Sequence, residues 1–225
     1  MNAIQDEDIF LGPKRMAVWP EGQAVKGRGD NVVAMTQFED IDAYHPALIT
    51  RLLEMYEDPS VKKAKSFFAA GTKIHHLQTW GIPEAELVEA RAKAFFKRAF
   101  KQSEAVVHIG WVNISRRGEY SMPHTHPDST ASVVYCLDPG DPNPDDPMDG
   151  LLAFVDPRYE ACCRDDKAFM NTPFMPKMTA GSMIIFPSTL VHCVNPYAGE
   201  RPRITFSWDI NTTTRGQPRL PEEIF

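Results

Sequence analysis

No stretch of this 225-residue chain is apolar for the roughly 20 residues that a membrane-crossing helix needs. Its apolar runs are short, as in "MIIF" from Met183, so no membrane partner is expected. A surplus of positive charge is also lacking. The net charge of −6 gives no general pull toward nucleic acid or an anionic surface. Cysteine is scarce: Cys136, Cys162, Cys163 and Cys193 form no C-x-x-C pair and no disulfide-like framework. Reduced thiols in a cytoplasmic protein are the expectation. The opening "MNAIQDEDIF" is acidic, lacks an apolar centre and does not read as a signal peptide. There is no internal repeat, no Ser/His/Asp order and no phosphate-cradling loop. What is present is ordinary for a globular protein, with 43% hydrophobic and 24% charged residues. The length suits one domain of generous size.

The chain divides by pattern near residue 104. Before it, "PALITRLLEMYED" has apolar residues at helical spacing, with Pro46 suited to a first turn. "IPEAELVEARAKAFFKRAFKQ" is the clearest helix: Pro83 opens it, acids crowd its first turns and bases its last. Leu87, Ala90, Ala94, Phe95 and Phe100 form its apolar stripe. "NVVAMTQF" fits an edge strand. After residue 104 the helical period vanishes. "AVVHIGWVNIS", "ASVVYCL", "GLLAFVD", "GSMIIFP", "LVHCVN" and "RITFSWDIN" are short, β-branched and aromatic, with turn residues between them. The expectation is one domain over 1–225: a helical and irregular part, 1–104, packed on a mainly β core, 105–211, of sandwich or barrel type. "DPGDPNPDDPMDG" (138–150) interrupts two strands, lacks the calcium-loop pattern and reads as a solvated loop, or as a lid over a site.

One segment concentrates ligand chemistry. In "YSMPHTHPDST" two histidines and an acid occupy alternate positions, His124, His126 and Asp128. Alternate residues of an extended segment share a face, and Pro123 and Pro127 favour extended geometry before them. Side chains so placed can reach one cation, with His192 in "STLVHCVN" the candidate for a distant ligand. Three protein ligands leave open positions, the logic of a non-haem iron site. The same-face argument does not separate His124 from Asp128 as the third ligand. His45, His75, His76 and His108 lack such a pattern and read as ordinary polar residues.

The stretches "WVNISRRGEYSMPHTHPDSTASVVYCL", "GLLAFVDPR" and "GSMIIFPSTLVHCVNPYAGERPRITFSWDIN" together resemble the iron(II)- and 2-oxoglutarate-dependent oxygenase family. The resemblance covers about residues 105–211. It implies a double-stranded β-helix, or jelly roll, whose mouth holds Fe(II), with 2-oxoglutarate and O2 as co-substrates and hydroxylation as the usual outcome. In this branch the H-x-H pair recurs, which favours His124 and His126 with His192, and Asp128 stays as the alternative ligand or a supporting group. One departure is Val133, at a position where glycine is frequent, which implies a narrower pocket.

Arg203 and Thr205 share a strand face two residues apart. A guanidinium fork can grip the far carboxylate of 2-oxoglutarate through two hydrogen bonds, and a threonine hydroxyl can add a third. The resemblance places its co-substrate anchor at this R-x-S/T position. If "NPYAGERP" closes a hairpin, its midpoint is near Ala198 and His192 lies nearly opposite Ile204. Arg201, before Pro202, reads as turn decoration. Asn113 and Tyr135 are further candidates for co-substrate contact, with plain packing as the competing reading for Tyr135 and for Trp111. Asp156 and Arg158 fit an ion pair. Two other functions stay open: a cupin-type metal dioxygenase that ignores 2-oxoglutarate, and a non-catalytic jelly-roll binding module. The expected substrate is a small molecule or a protein side chain, with no nucleic-acid partner. A homo-oligomer is compatible with the sequence.

Overall fold

The computed structural model describes residues 8–28, 33–65, 71–126, 128–158, 162 and 173–212. Cys163 and most of the segment 159–176 lie outside the described residues. In chain order the elements are β1 (Ile9–Leu11), β2 (Lys14–Met16), β3 (Lys26–Arg28), β4 (Val33–Gln37), α1 (His45–Glu57), β5 (Lys63–Lys65) and β6 (Thr72–His75). Then come α2 (Pro83–Ala99), β7 (Val106–Ser115), β8 (Ser121–His124), β9 (Ala131–Asp138), β10 (Leu152–Phe154), β11 (Ser182–Pro187), β12 (His192–Val194) and β13 (Arg203–Asn211).

Both helices form where the apolar spacing predicts them. Pro46 sits in the first turn of α1, where a missing N–H costs nothing, and Leu48 and Leu52, four apart, bury one face. Helix α2 has Glu84 and Glu86 in its first turn and Lys97 and Arg98 in its last, complementing the helix dipole. Its Leu87, Ala94 and Phe95 are fully buried, and Ala90 and Phe100 pack at the margin.

The strands form a jelly roll of two unequal sheets. The large sheet has the order β3-β4-β11-β9-β13-β7-β6-β5, and the small one β10-β12-β8. Every pairing is antiparallel. The first 104 residues supply more strand than their pattern implies. β3 and β4 extend one side of the large sheet and β5 and β6 the other, and β4 is interior rather than an edge. No helix among the described residues is long and apolar enough to cross a membrane.

Strand β13 shows how the sheet divides the molecule. It is buried on both faces. Ile204, Phe206, Trp208 and Ile210 point into the core shared with α1 and α2. Arg203, Thr205, Ser207 and Asp209 point the other way and line a cavity between the two sheets. Alternation at period 2 thus puts an apolar row against the helices and a polar row inside the jelly roll. Burying four polar side chains in succession is costly unless they are engaged, so the polar row marks the functional face.

The expected hairpin between His192 and Arg203 does not form. β12 pairs with β8 and β10, whereas β13 pairs with β7 and β9. The intervening segment therefore passes from the small sheet to the large one. Tyr197 fixes that crossing: its hydroxyl donates to Asp141, accepts from the Asp141 amide and lies 2.6 Å from the Arg201 carbonyl. The acidic loop 138–150 is accordingly tied down. Buried Asp149 accepts amide hydrogens from Asn143 at 2.5 Å and Ala198 at 2.6 Å, joining the loop to the crossing that delivers Arg203.

Candidate metal centre and active site

Three imidazoles meet where the two sheets face each other. His124 ends β8 and is the register partner of His192, which begins β12. His126 lies just beyond β8, its amide held by the Ser188 carbonyl at 2.8 Å. One ring nitrogen from each of His124, His126 and His192 lies within 4.8 Å of the other two, a spacing that could hold a metal ion. Asp128 is exposed and stands outside this group.

The hydrogen bonds behind the rings decide which nitrogen is offered. Nδ1 of His124 donates to the Met122 carbonyl at 2.6 Å, and Nδ1 of His192 to the Leu190 carbonyl at 2.9 Å. Nδ1 of His126 faces Asp209 Oδ2 at 2.9 Å. Each Nδ1 thus carries the proton and each Nε2 keeps its lone pair, the tautomer that a metal takes. Burial holds His192 down to about 3 and also lowers His124, with neighbouring imidazoles adding to the effect. Both rings are neutral near pH 7, as ligation requires. Three neutral nitrogen donors with room on the cavity side fit a divalent non-haem iron.

The rings are also wedged in place. His126 stacks on Trp111 with centroids 5.7 Å apart, and Phe186 meets His192 edge-on at 4.7 Å. Arg158 grips Asp156 through paired contacts of 2.5–3.1 Å and holds that carboxyl down to about 2. The pair clamps the turn before β12, because Asp156 also accepts from the Val191 amide and Arg158 donates to the Thr189 carbonyl.

Farther along the polar row, Arg203 is 7% exposed and lines the same cavity. Its guanidinium has no hydrogen bond or ion pair among the described residues. Burial lowers its pKa, with no carboxylate close enough to pair with it. A buried, uncompensated guanidinium is costly, so the geometry calls for an anion from outside the chain. Thr205, two residues on, lines the cavity as well. Asn113 supports this row. Trp111 Nε1–H donates to Asn113 Oδ1 at 3.1 Å, which turns the amide so that Nδ2 donates to Ser207 Oγ at 3.1 Å and Thr205 Oγ1 at 3.4 Å. Both hydroxyls keep a hydrogen to give to a ligand.

Tyr135 is a correction. It faces the helices, in register with Phe206, and not the cavity. Its hydroxyl donates to His45 Nε2 at 2.6 Å and accepts from Tyr44 at 2.6 Å, and Tyr44 accepts from Arg91 at 3.0 Å. Arg91, wholly buried, is paired with Asp40 at 2.6 and 2.8 Å. Tyr135 therefore closes a structural relay behind the sheet. His45, to which the sequence pattern gives no role, is its end point. Val133 also faces this side, in the helix-side core, although it borders the cavity.

Two cavity residues escape the sequence pattern. Asp209 backs His126, and the row R-x-T-x-S-x-D, polar at every second residue of a buried strand, was the available signal. Lys73, on β6, lies over the Trp111 ring at 4.8 Å, and nothing in its local sequence marks it.

Comparison with known proteins supports the same resemblance. Residues 110–209 match the model of the family described as "Putative 2OG-Fe(II) oxygenase". Over those residues the chain is similar to the 2OG-Fe(II) oxygenase family. That family uses Fe(II), 2-oxoglutarate and O2. Several solved structures share the fold. AviO1 from Streptomyces viridochromogenes superposes with a TM-score of 0.58 at 16% identity, over 85% of this chain and 93% of that one. A prolyl-4-hydroxylase from Pseudomonas putida gives 0.54 at 16% identity, over 83% and 95%. A prolyl hydroxylase from Trichoplax adhaerens, in complex with a hypoxia inducible factor peptide, gives 0.59 at 13%, over 80% and 84%. At these identities the likeness establishes the double-stranded β-helix and nothing finer. A search of curated proteins returned no match.

Proposed function

We propose that this oxygenase hydroxylates a small molecule or a protein side chain at an Fe(II) ion held by His124, His126 and His192. The carrying observation is the pairing, in one cavity, of a three-imidazole cluster with the unpartnered guanidinium of Arg203. The bound iron would activate O2, so that 2-oxoglutarate becomes succinate and CO2 while one oxygen atom enters a substrate C–H bond. The chain's part is positional and electrostatic. Arg203 takes the far carboxylate of 2-oxoglutarate in a bidentate grip, and Thr205 adds a hydroxyl. Asn113 sets the Thr205 and Ser207 hydroxyls rather than meeting the co-substrate itself. Asp209 holds the His126 proton on Nδ1 and raises the donor strength of Nε2. Phe186, Leu152 and Val194 give the cavity apolar walls, which strengthen each charged contact inside it. The thiols of Cys136 and Cys193 accord with a cytoplasmic setting.

The test is spectroscopic. Ferrous iron and 2-oxoglutarate added to the protein without oxygen give a visible charge-transfer band whose titration reports co-substrate affinity. Arg203→Ala weakens that affinity by about 10–100-fold, the worth of a charge-assisted contact. Arg201→Ala, on an exposed guanidinium tied to the Gly140 carbonyl, leaves it within about twofold. Equal effects of the two would remove the anchor. Oxygen uptake indifferent to 2-oxoglutarate would favour a cupin-type enzyme.

A further inference from the structure

The cavity holds a second cation that the co-substrate does not need. Lys73 is half-buried on β6, next to β7 in the large sheet, and in register with Asn113. Asn113 in turn is in register with Thr205, so Lys73 stands in the same cross-strand row as the co-substrate hydroxyl, two strands away from it. Its ammonium makes no hydrogen bond or ion pair among the described residues. The Trp111 face, 4.8 Å away, holds it in place. Asp209 is the acid near enough to act on it, and that carboxylate is already engaged by His126 and Ser132. Burial lowers the Lys73 pKa.

The stacking order ties this cation to the reacting centre. Lys73 lies on Trp111, and Trp111 stacks on His126. An anion bound to Lys73 therefore sits one indole away from a proposed metal ligand, in the cavity that Lys73, Trp111 and His126 line together. We propose that Lys73 and Trp111 form a subsite for an anionic group of the primary substrate, a carboxylate, distinct from the Arg203 site of the co-substrate. The inference rests on the oxygenase reading for its chemistry but not for its binding test. An ammonium left unpaired beside an indole favours an anion whose carbon frame can lie on the ring. A carboxylate on a small apolar or aromatic frame meets both demands, and the target C–H bond would follow within a few bonds of it.

Binding can be read without turnover. The protein loaded with Zn(II) and saturated with 2-oxoglutarate is probed by ligand-observed NMR with matched pairs, benzoate against benzamide and phenylacetate against phenylacetamide, with phenyl phosphate as a second anion. The expected result is a preference of about tenfold for acid over amide, as one charge-assisted contact gives. Lys73→Gln abolishes it and Lys73→Arg keeps it. Phenyl phosphate binding tighter than either carboxylate would replace the carboxylate assignment with a phosphate. No acid preference in the wild-type protein, or a preference unchanged in Lys73→Gln, overturns the subsite. If Lys73→Gln weakens 2-oxoglutarate as much as Arg203→Ala does, Lys73 belongs to the co-substrate and the subsite is refuted while the oxygenase reading stands. If 2-oxoglutarate fails to bind the wild-type protein, the co-substrate reading fails, and the acid–amide comparison without 2-oxoglutarate still decides the subsite.

Discussion

Asp209 offers a sharp test of the metal centre because its replacement can be made almost isosteric. Its Oδ2 accepts from His126 Nδ1 at 2.9 Å, and its Oδ1 accepts from Ser132 Oγ at 2.8 Å. Ser132 Oγ also lies 3.1 Å from Ser188 Oγ, so its hydroxyl has a second place to donate. In Asp209→Asn the amide oxygen still accepts from His126. The amide nitrogen donates to Ser132 Oγ, and the serine hydroxyl turns to Ser188. Every buried polar atom stays satisfied, and only the negative charge behind the imidazole is lost. That charge strengthens the Nε2 donor, and the loss of such a partner typically costs 10–100-fold in metal affinity, or about 1.4–2.7 kcal/mol. The assay is a Zn(II) titration of metal-stripped protein against a chromophoric chelator near neutral pH. Ser132→Ala is the control, because it removes a donor to Asp209 and leaves the imidazole contact intact. An Asp209→Asn affinity within about twofold of wild type would show that His126 is not a ligand, or that Asp209 does not tune it.

Three further outcomes follow from the same geometry. Tyr135→Phe leaves Tyr44 and His45 without their shared partner and lowers stability by about 1–3 kcal/mol in denaturant melts. It leaves 2-oxoglutarate affinity unchanged, and a weakened charge-transfer titration would return Tyr135 to the site. His45, held down to about 4 by burial, binds its proton in the unfolded chain near 6.5 and resists it in the fold. Its contribution is therefore complete above pH 6.5 and is lost as pH falls toward 4, by up to roughly 3 kcal/mol. The wild-type minus His45→Gln stability difference should bend in that window, and a difference flat from pH 7 to 4 contradicts the burial of a neutral ring. Metal content after anaerobic loading and desalting separates the two open ligand sets: His124→Ala empties the site and Asp128→Ala does not, whereas the reverse result would restore the carboxylate.

The parts of the site that follow from local periodicity are legible in the sequence itself. His124 and His126 share a face, as do Arg203 and Thr205, because side-chain alternation within a strand needs no knowledge of its neighbours. Facts that depend on pairing between strands were hidden. His192 looks like the start of a hairpin with Arg203, yet the jelly roll sends it to the small sheet, because turn composition does not say which sheet the next strand joins. Tyr135 failed for a related reason. "ASVVYCL" is buried on both sides, so its composition does not distinguish the row Ala131, Val133, Tyr135 from the row Ser132, Val134, Cys136. Only the register with Phe206 shows that Tyr135 faces the helices.

Lys73 was hidden most deeply, since its strand precedes the recognisable core by a whole helix. Its relevance exists only through the row Lys73–Asn113–Thr205–Cys136 that three pairings align. Asp209 marks the opposite limit. A charged residue at an alternate position of a strand buried on both faces carries its own signal, because an interior carboxylate needs a partner whatever the register. In "RITFSWDIN" that signal was present without any pairing known. A polar side chain on a doubly buried strand is therefore a stronger pointer to a site than an aromatic one, whose burial needs no function to explain it.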